Sequence, residues 1–597
     1  MNPTTTPDAR RPWILLVVAL VLVLLGGALA GFIQTNGGTV TIHDIRFTGT
    51  GGKVMSALLY VPNGVSDTSP APGILAVHGY INTRETQDGF AIEFARRGYV
   101  VLAPDQTGHG YSDPPAFSNG FGGPDSLAYL RGLTYVDTKN IGMEGHSMGG
   151  WTILAAAAVF STSYQSMVLE GSSTGAPFAA DGTATWPRNL ELVYSKYDEF
   201  SVLMWNSTTA AGVVDSKKLQ TVFNTTSTIV PNQLYGSIAD GTARQLQQPG
   251  GTHPMDHIST EAIGDAITWF QQTLKGGNGL PAGDQIWFWK EIGTLIALIG
   301  GVLFLFPFGA LLLSLPFFAD LRTQPGKGVG MTGIGWWIAA ALTIIIPSLT
   351  FYGFQHFSDD HFTTNAVFPQ SITNGVATWA VGDALITLVL FLVWHFTQAR
   401  RAGAKWSDYG LTWPERGIDW MKIGKSLLLA VITFAGFYIL LALSDILFKT
   451  DFRFWVVAIK QADPLQWRIF LCYVLFFMLY SVILGMALHG QMRGAGARPE
   501  GLPLGRAMLV NLLLMIGPII IVLLFQYIPL FVNGGIVDPN TSLLGIVAFQ
   551  FLAVLGIVGL ISTYFFYKTG RVWVGAFVNA LFITLVLVAG TAIQFAV

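Results

Sequence analysis

Ser147 stands between glycines in Gly145-His146-Ser147-Met148-Gly149-Gly150, after the apolar run Asn140-Ile141-Gly142-Met143-Glu144 and before a helix-like one. This G-x-S-x-G spacing is that of a nucleophile elbow, a strand-to-helix turn so tight that the serine is strained and only glycine-sized neighbours avoid a clash. Its hydroxyl would project over a helix N-terminus whose N–H groups help stabilise an oxyanion. The chemistry on offer is acyl transfer. It needs a base to take the hydroxyl proton and a carboxylate to orient that base.

Partners of suitable type follow at suitable places. His78-Gly79-Tyr80 ends an apolar strand, and the glycine lets the chain turn so that the Tyr80 amide joins that of Met148 as an oxyanion hole. Asp198 follows the strand ending at Tyr194 and is the expected buried acceptor, with Glu199 and Asp181 as alternatives. For the base, Gly251-Thr252-His253-Pro254-Met255-Asp256-His257 offers two histidines a turn apart. His253 comes straight after a glycine pair and is preferred to His257. The three groups would form a Ser147, Asp198, His253 triad.

These groups must be positioned by a sheet. Thr39 to Thr48 and Lys53 to Pro62 read as an opening antiparallel pair. Strands at 73–77, 99–103, 166–170 and 190–194 alternate with helices near 90–97 and 126–133, which predicts a mostly parallel sheet covered on both faces. In such sheets the chemistry gathers at the carboxyl ends of the strands.

The rest of the chain is of another kind. At 597 residues, 51% hydrophobic and 11% charged, it is too long for one domain and too apolar for a wholly soluble protein. The residues divide as a transmembrane anchor at 1–35, the α/β domain at 36–280 and a membrane domain of about eight helices at 281–597. An uncharged run from Trp13 to Phe32 is long enough to cross a bilayer and is read as an uncleaved anchor, although Ala28-Leu29-Ala30 resembles a signal-peptide cleavage site. Further spans are predicted at 290–317, 331–354, 373–397, 423–447, 467–489, 507–531, 542–566 and 572–596. With the N-terminus inside, cytoplasmic loops hold Arg322, Lys327, Arg400, Arg401, Lys405, Arg416, Lys422, Arg493, Arg498, Arg506, Lys568 and Arg571. The outer loops 355–372 and 532–541 have no Lys or Arg. Only the outer loop near 448–468, with Lys449, Arg453, Lys460 and Arg468, is discordant. The positive-inside rule therefore puts the α/β domain outside the cytoplasm, at a cell membrane. The net charge of −2 shows no basic excess for nucleic acid, and the lone Cys472 excludes an intramolecular disulfide.

Residues 36–275 resemble the α/β-hydrolase superfamily, especially its dienelactone-hydrolase, prolyl-oligopeptidase-like and cutinase-like branches. The resemblance rests on His78-Gly79-Tyr80, Ala103-Pro104-Asp105 with Gly108-His109-Gly110, Asp137 before Ile141, the elbow itself and the order Ser147, Asp198, His253. It implies a serine hydrolase forming an acyl-enzyme and needing no metal or other cofactor, with His109 as a structural loop residue. The short stretch between Ser147 and Asp198 leaves no room for a large helical lid, so an open site is expected. A small-molecule or lipid-like ester is the expected substrate and membrane lipid the expected surroundings. A peptidase using the same triad, and a transporter or receptor with a ligand-binding hydrolase-like domain, are the alternatives. Residues 286–597 resemble no recognised family. Their polar intramembrane residues, Asp383, Asp445, Asn511, Gln526, Gln550 and Asn579, are read as interhelical hydrogen-bonding groups or as the lining of a lateral lipid pocket. The loop His356-Phe357-Ser358-Asp359-Asp360-His361 has metal-ligand types but is not expected to hold a metal.

Overall fold

The computed structural model describes residues 10–494 and 502–596; Arg498 lies outside them. After the helix α1 (Arg10–Gln34) the chain forms β1 (Val40–Thr48) and β2 (Val54–Pro62), an antiparallel pair with Val40 opposite Pro62. It continues through β3 (Ala71–Val77), α2 (Asp88–Arg96), β4 (Val100–Pro104), α3 (Gly123–Gly132), β5 (Val136–His146), α4 (Met148–Val159), β6 (Ser166–Glu170) and β7 (Leu190–Val193). Two short helices, α5 (Ser201–Trp205) and α6 (Lys217–Val222), precede β8 (Arg244–Gln247) and α7 (Thr260–Thr273). The sheet order is β1-β2-β4-β3-β5-β6-β7-β8, and all strands after β2 run parallel.

Strands buried on both faces read as continuous apolar runs, as β3 and β4 do. Leu127, Leu130, Trp151 and Ile153 of α3 and α4 pack on one face, while Phe90, Phe94, Ile263 and Phe270 of α2 and α7 cover the other. The α/β reading therefore holds, with one strand added: β8, short and polar in Arg-Gln-Leu-Gln, carries the chain to the His253 loop.

The second half is helical: α8 (Trp287–Leu312), α9 (Gly333–His361), α10 (Ser371–Trp394), α11 (Trp420–Phe448), α12 (Pro464–Met486), α13 (Leu504–Asn533), α14 (Ser542–Thr569) and α15 (Trp573–Gly590). A small hairpin, β9 (Phe452–Phe454) with β10 (Val457–Ile459), joins α11 to α12. Counting α1, nine helices among the described residues are long and apolar enough to cross a membrane. The first belongs to the bundle. A Cβ on Gly293 would lie 2.7 Å from the Ala30 nitrogen, so α1 and α8 touch along their backbones, as small residues permit between helices in lipid.

The connections after α1, α9, α11 and α13, and the C-terminal segment after α15, lie on the α/β side; the described residues of the other connections gather at the far end. At that far end the Arg493 guanidinium donates to the carbonyls of Gly326, Lys327 and Asp408 at 2.9–3.1 Å. The discordant 448–468 loop is explained in part. Arg453 is buried, binds Asp451 at 2.6 Å and Thr86 at 3.0 Å, and lies 3.6 Å from Glu85; Lys460 also lies 3.6 Å from Glu85. Burial pushes Glu85 up, but Lys460, Arg84 and Arg453 hold it well below the usual carboxylate range. Arg84 in turn grips Asp44 at 2.6 and 2.9 Å, and Lys290 of α8 binds Asp88 at 2.6 Å. Two of the loop's four cations are thus ion-pair partners that dock the α/β domain, while Lys449 ends α11 and Arg468 is exposed.

Candidate active site

Ser147 is the one residue between β5 and α4, at φ 55° and ψ −120°. Its neighbours explain why the turn closes. A Cβ on Gly149 would lie 2.1 Å from the Val77 carbonyl oxygen, and one on Gly150 would lie 2.2 Å from Ser172 Oγ. The Ser147 N–H donates to the Glu170 carbonyl at 2.8 Å, and its carbonyl accepts from Ser172 Oγ at 2.7 Å. With the backbone held at both ends, the side chain faces a pocket. Strain of this kind persists only where the surroundings over-determine it.

His253 opens a short 3₁₀ turn, His253–Ile258, and also faces that pocket. Its Nδ1 donates to Asp198 Oδ2 at 2.7 Å, which leaves Nε2 as the basic atom. Asp198 is buried, and its other oxygen accepts from the Phe200 amide at 2.7 Å and Tyr194 Oη at 3.2 Å. Burial pulls His253 down, but the charge and hydrogen bond of Asp198 more than reverse this, leaving it above the ordinary imidazole value. Ser147 Oγ makes no hydrogen bond to His253 among the described residues; such contacts commonly tighten only when substrate binds. The Tyr80 and Met148 amides have no acceptor among the described residues.

The alternatives fall elsewhere. Asp181 is exposed, beside Gly175. Glu199 binds the His253 backbone N–H at 2.8 Å instead of its ring, and accepts from Tyr527 Oη of α13 at 2.6 Å. Burial and the adjacent Asp198 charge push Glu199 up to about 7. The His257 ring packs at a tilt against His146, centroids 4.0 Å apart, with neither ring nitrogen hydrogen-bonded among the described residues, and burial takes it down to about 3. His146 donates from Nε2 to the His253 carbonyl at 3.0 Å, so this elbow residue braces the base. His109 is buried against the Tyr80 ring, with Nδ1 bonded to the Thr107 carbonyl at 3.0 Å. Beneath them lie carboxyls with no cation: Glu144, pushed up by burial to about 8 and held by Gln87 at 2.7 and 2.9 Å, and Glu170, raised by burial and by Asp256.

The expectation of an open site is corrected. The α/β domain has no large helical insertion between Ser147 and Asp198, but the helical half roofs the pocket with Trp455 and Val456 of the hairpin and Leu543, Ile546 and Gln550 of α14. Trp455 Nε1 donates to the Pro254 carbonyl at 2.7 Å, and Gln594 donates to Tyr80 Oη at 2.7 Å. What remains is a cavity of about 40 Å³, room for a few waters at roughly 10–15 Å³ each. Segments hundreds of residues downstream do the covering, so the spacing around Ser147 gives no hint of it.

The intramembrane polar residues separate into groups. Asn511 binds Thr563 at 2.8 Å and Asn579 binds the Val558 carbonyl at 3.1 Å, both between helices. Gln526 accepts from Thr541 at 3.1 Å, and Asp445 accepts from Gln461 at 2.8 Å. Asp383 accepts from Thr350 at 2.8 Å on the wall of a separate cavity of about 380 Å³ between α9, α10, α12 and α13. Gln550 alone of the six reaches the Ser147 pocket. The segment 356–361 is no loop: α9 runs through His361, whose Nδ1 bonds the Phe357 carbonyl at 2.9 Å.

The sheet order, the crossover helices and the elbow define an α/β-hydrolase-fold domain joined to a helical half of membrane-spanning character. Residues 72–200 match the family model for the alpha/beta hydrolase fold. Over 93 residues the chain is 33% identical to uncharacterized proteins of Mycobacterium tuberculosis and Mycobacterium bovis, a match covering 15% of this chain and 26% of theirs. Solved structures similar to it include a bacterial heroin esterase (15% identity, 42% of this chain and 89% of that one, TM-score 0.31). Another is a dienelactone hydrolase-like promiscuous phosphotriesterase from metagenomic libraries (15% identity, 40% and 100%, TM-score 0.29).

Proposed function

We propose that the protein is a membrane-embedded serine hydrolase that cleaves carboxylic esters through an acyl-enzyme, outside the cytoplasm. The observation that carries this reading is the meeting of the strained Ser147, the 2.7 Å His253–Asp198 pair and two free amides around one pocket. In the forward half, His253 Nε2 takes the Ser147 proton as Oγ attacks the ester carbonyl, and the oxyanion is held by the Tyr80 and Met148 amides. The protonated His253, stabilised by Asp198, then gives its proton to the leaving alcohol. Water repeats the sequence on the acyl-enzyme and frees the acid.

The extracytoplasmic placement is supported by the loop charges, since the far end of the bundle collects Arg322, Lys327, Arg400, Arg401 and Arg493. A peptidase that grips an N-terminal ammonium would need an uncommitted acid near Ser147. Glu199 is taken up by His253 and Tyr527, and Asp198 by the His253 ring. The test is labelling with a fluorophosphonate probe together with turnover of p-nitrophenyl esters against aminoacyl-nitroanilides. Labelling and ester turnover lost in Ser147→Ala support the reading; labelling retained in that variant sinks it.

A further inference from the structure

The roof of the pocket bears on which ester is cleaved, an inference that rests on the ester-hydrolase reading. Besides Ser147 and the imidazole of His257, two polar side chains meet the cavity without a partner: the amides of Gln550, on the membrane helix α14, and Asn82, in the loop after β3, make no hydrogen bond among the described residues. A polar group inside a span is costly in lipid and stays where something uses it. Asn511 and Asn579, also intramembrane amides, are committed to helix–helix bonds. Gln550 has no hydrogen-bond partner among the described residues and lines the same cavity as Ser147.

Charge narrows the ligand further. Apart from His146, His253 and His257, no histidine, lysine, arginine, aspartate or glutamate among the described residues lines the cavity. The loop cations Arg453 and Lys460 do not line it and are drawn instead to Asp451 and Glu85. A phosphate or carboxylate on the alcohol would find no counter-charge, and an ammonium would find no free carboxylate. Leu543, Ile546 and Val456 meanwhile present apolar surface from the membrane side.

We infer that Gln550 and Asn82 form a subsite for the uncharged, hydroxyl-bearing alcohol of an amphiphilic ester such as a monoacylglycerol, so that the membrane half selects the substrate that Ser147 attacks. Each carboxamide offers a donor and an acceptor, the pairing a hydroxyl requires. A site built to hydrogen-bond hydroxyls discriminates strongly against analogues that leave its amides unpaired.

The full-length protein in detergent micelles is assayed on monooleoylglycerol, on oleoyl lysophosphatidylglycerol and on p-nitrophenyl butyrate, which has no hydroxyl on its leaving group. The wild type is expected to prefer monooleoylglycerol over the anionic lysolipid at least tenfold in kcat/KM. In Gln550→Leu the ratio of monooleoylglycerol to p-nitrophenyl butyrate kcat/KM should fall about tenfold, mainly through KM, and Asn82→Leu should move it the same way. Fluorophosphonate labelling of Ser147 in each variant reports a folded site. Equal cleavage of the two oleoyl lipids, or an unchanged ratio in a labelled Gln550→Leu, overturns the inference while leaving the hydrolase reading intact. Absence of labelling and of all ester turnover in the wild type overturns both.

Discussion

The floor and the roof of the Ser147 pocket come from different kinds of sequence. The floor is assembled by strand ends: β3 delivers Tyr80, β5 delivers Ser147, and the turns after β7 and β8 deliver Asp198 and His253. The roof is a hairpin and a helix from the membrane half, which contribute Trp455, Val456, Leu543, Ile546 and Gln550. Every floor residue has a chemical type that announces its task, whereas the roof residues are ordinary members of apolar segments. The proposed catalytic groups therefore come from the first half of the chain, and the cover of their pocket from the second.

The largest effect separating the two is Ser147→Ala, which should lower ester turnover by about 10⁴-fold or more with little change in thermal stability, since the hydroxyl supports chemistry and not packing. Breaking the docking contacts should do the reverse. Arg453→Met leaves Glu85 and Asp451 buried with less charge compensation, a loss of about 3–5 kcal/mol by the behaviour of broken buried pairs. Calorimetry in detergent would measure it. Unchanged stability would mean that the halves are held together elsewhere.

Tyr527→Phe breaks a hydrogen bond between the two halves beside the site. It takes a donor from the buried Glu199, which also holds the His253 amide, at a cost of about 1–3 kcal/mol. The expected result is a several-fold fall in kcat with KM nearly constant and a displaced acid limb of the pH–rate profile. A change in KM alone would assign Tyr527 to binding instead.

Two pH effects are smaller. His253 must be neutral to act as base, and Asp198 raises its pKa, so kcat/KM should climb with pH to a plateau reached above the ordinary imidazole value of about 6.5. For stability, Glu144 keeps its proton in the folded protein up to about 8, whereas an unfolded carboxyl loses it near 4.5. The folded form binds the extra proton between those values, so stability falls as pH rises through that window and is flat above it. Glu144→Gln should flatten this slope in a melting series from pH 5 to 8, by at most a few kcal/mol.

Much of the floor is legible in the chain itself. The antiparallel opening pair, the parallel strands and the elbow follow from short apolar runs and glycine spacing, which act locally. The structure sets Asp198, rather than Asp181 or Glu199, against the His253 ring, because a residue just past a strand end can reach it. β8 is not legible in this way, because Arg244-Gln245-Leu246-Gln247 is polar, yet Arg244 is buried by bonding to the carbonyls of Val222 and Ala243. The extension of α9 through His361 is equally hidden, because charged residues at a bilayer surface resemble a loop.

The sequence by itself determined the hydrolase-type fold, the elbow around Ser147, the number of long apolar helices and the charge asymmetry of their loops, since each depends on spacing or composition within a short window. Only the tertiary structure decided that the site is roofed, that Arg453 and Lys460 are docking cations, and that Gln550 differs from the other intramembrane amides. Those facts depend on contacts between residues separated by hundreds of positions, and a side chain's type is silent about its partner at such range.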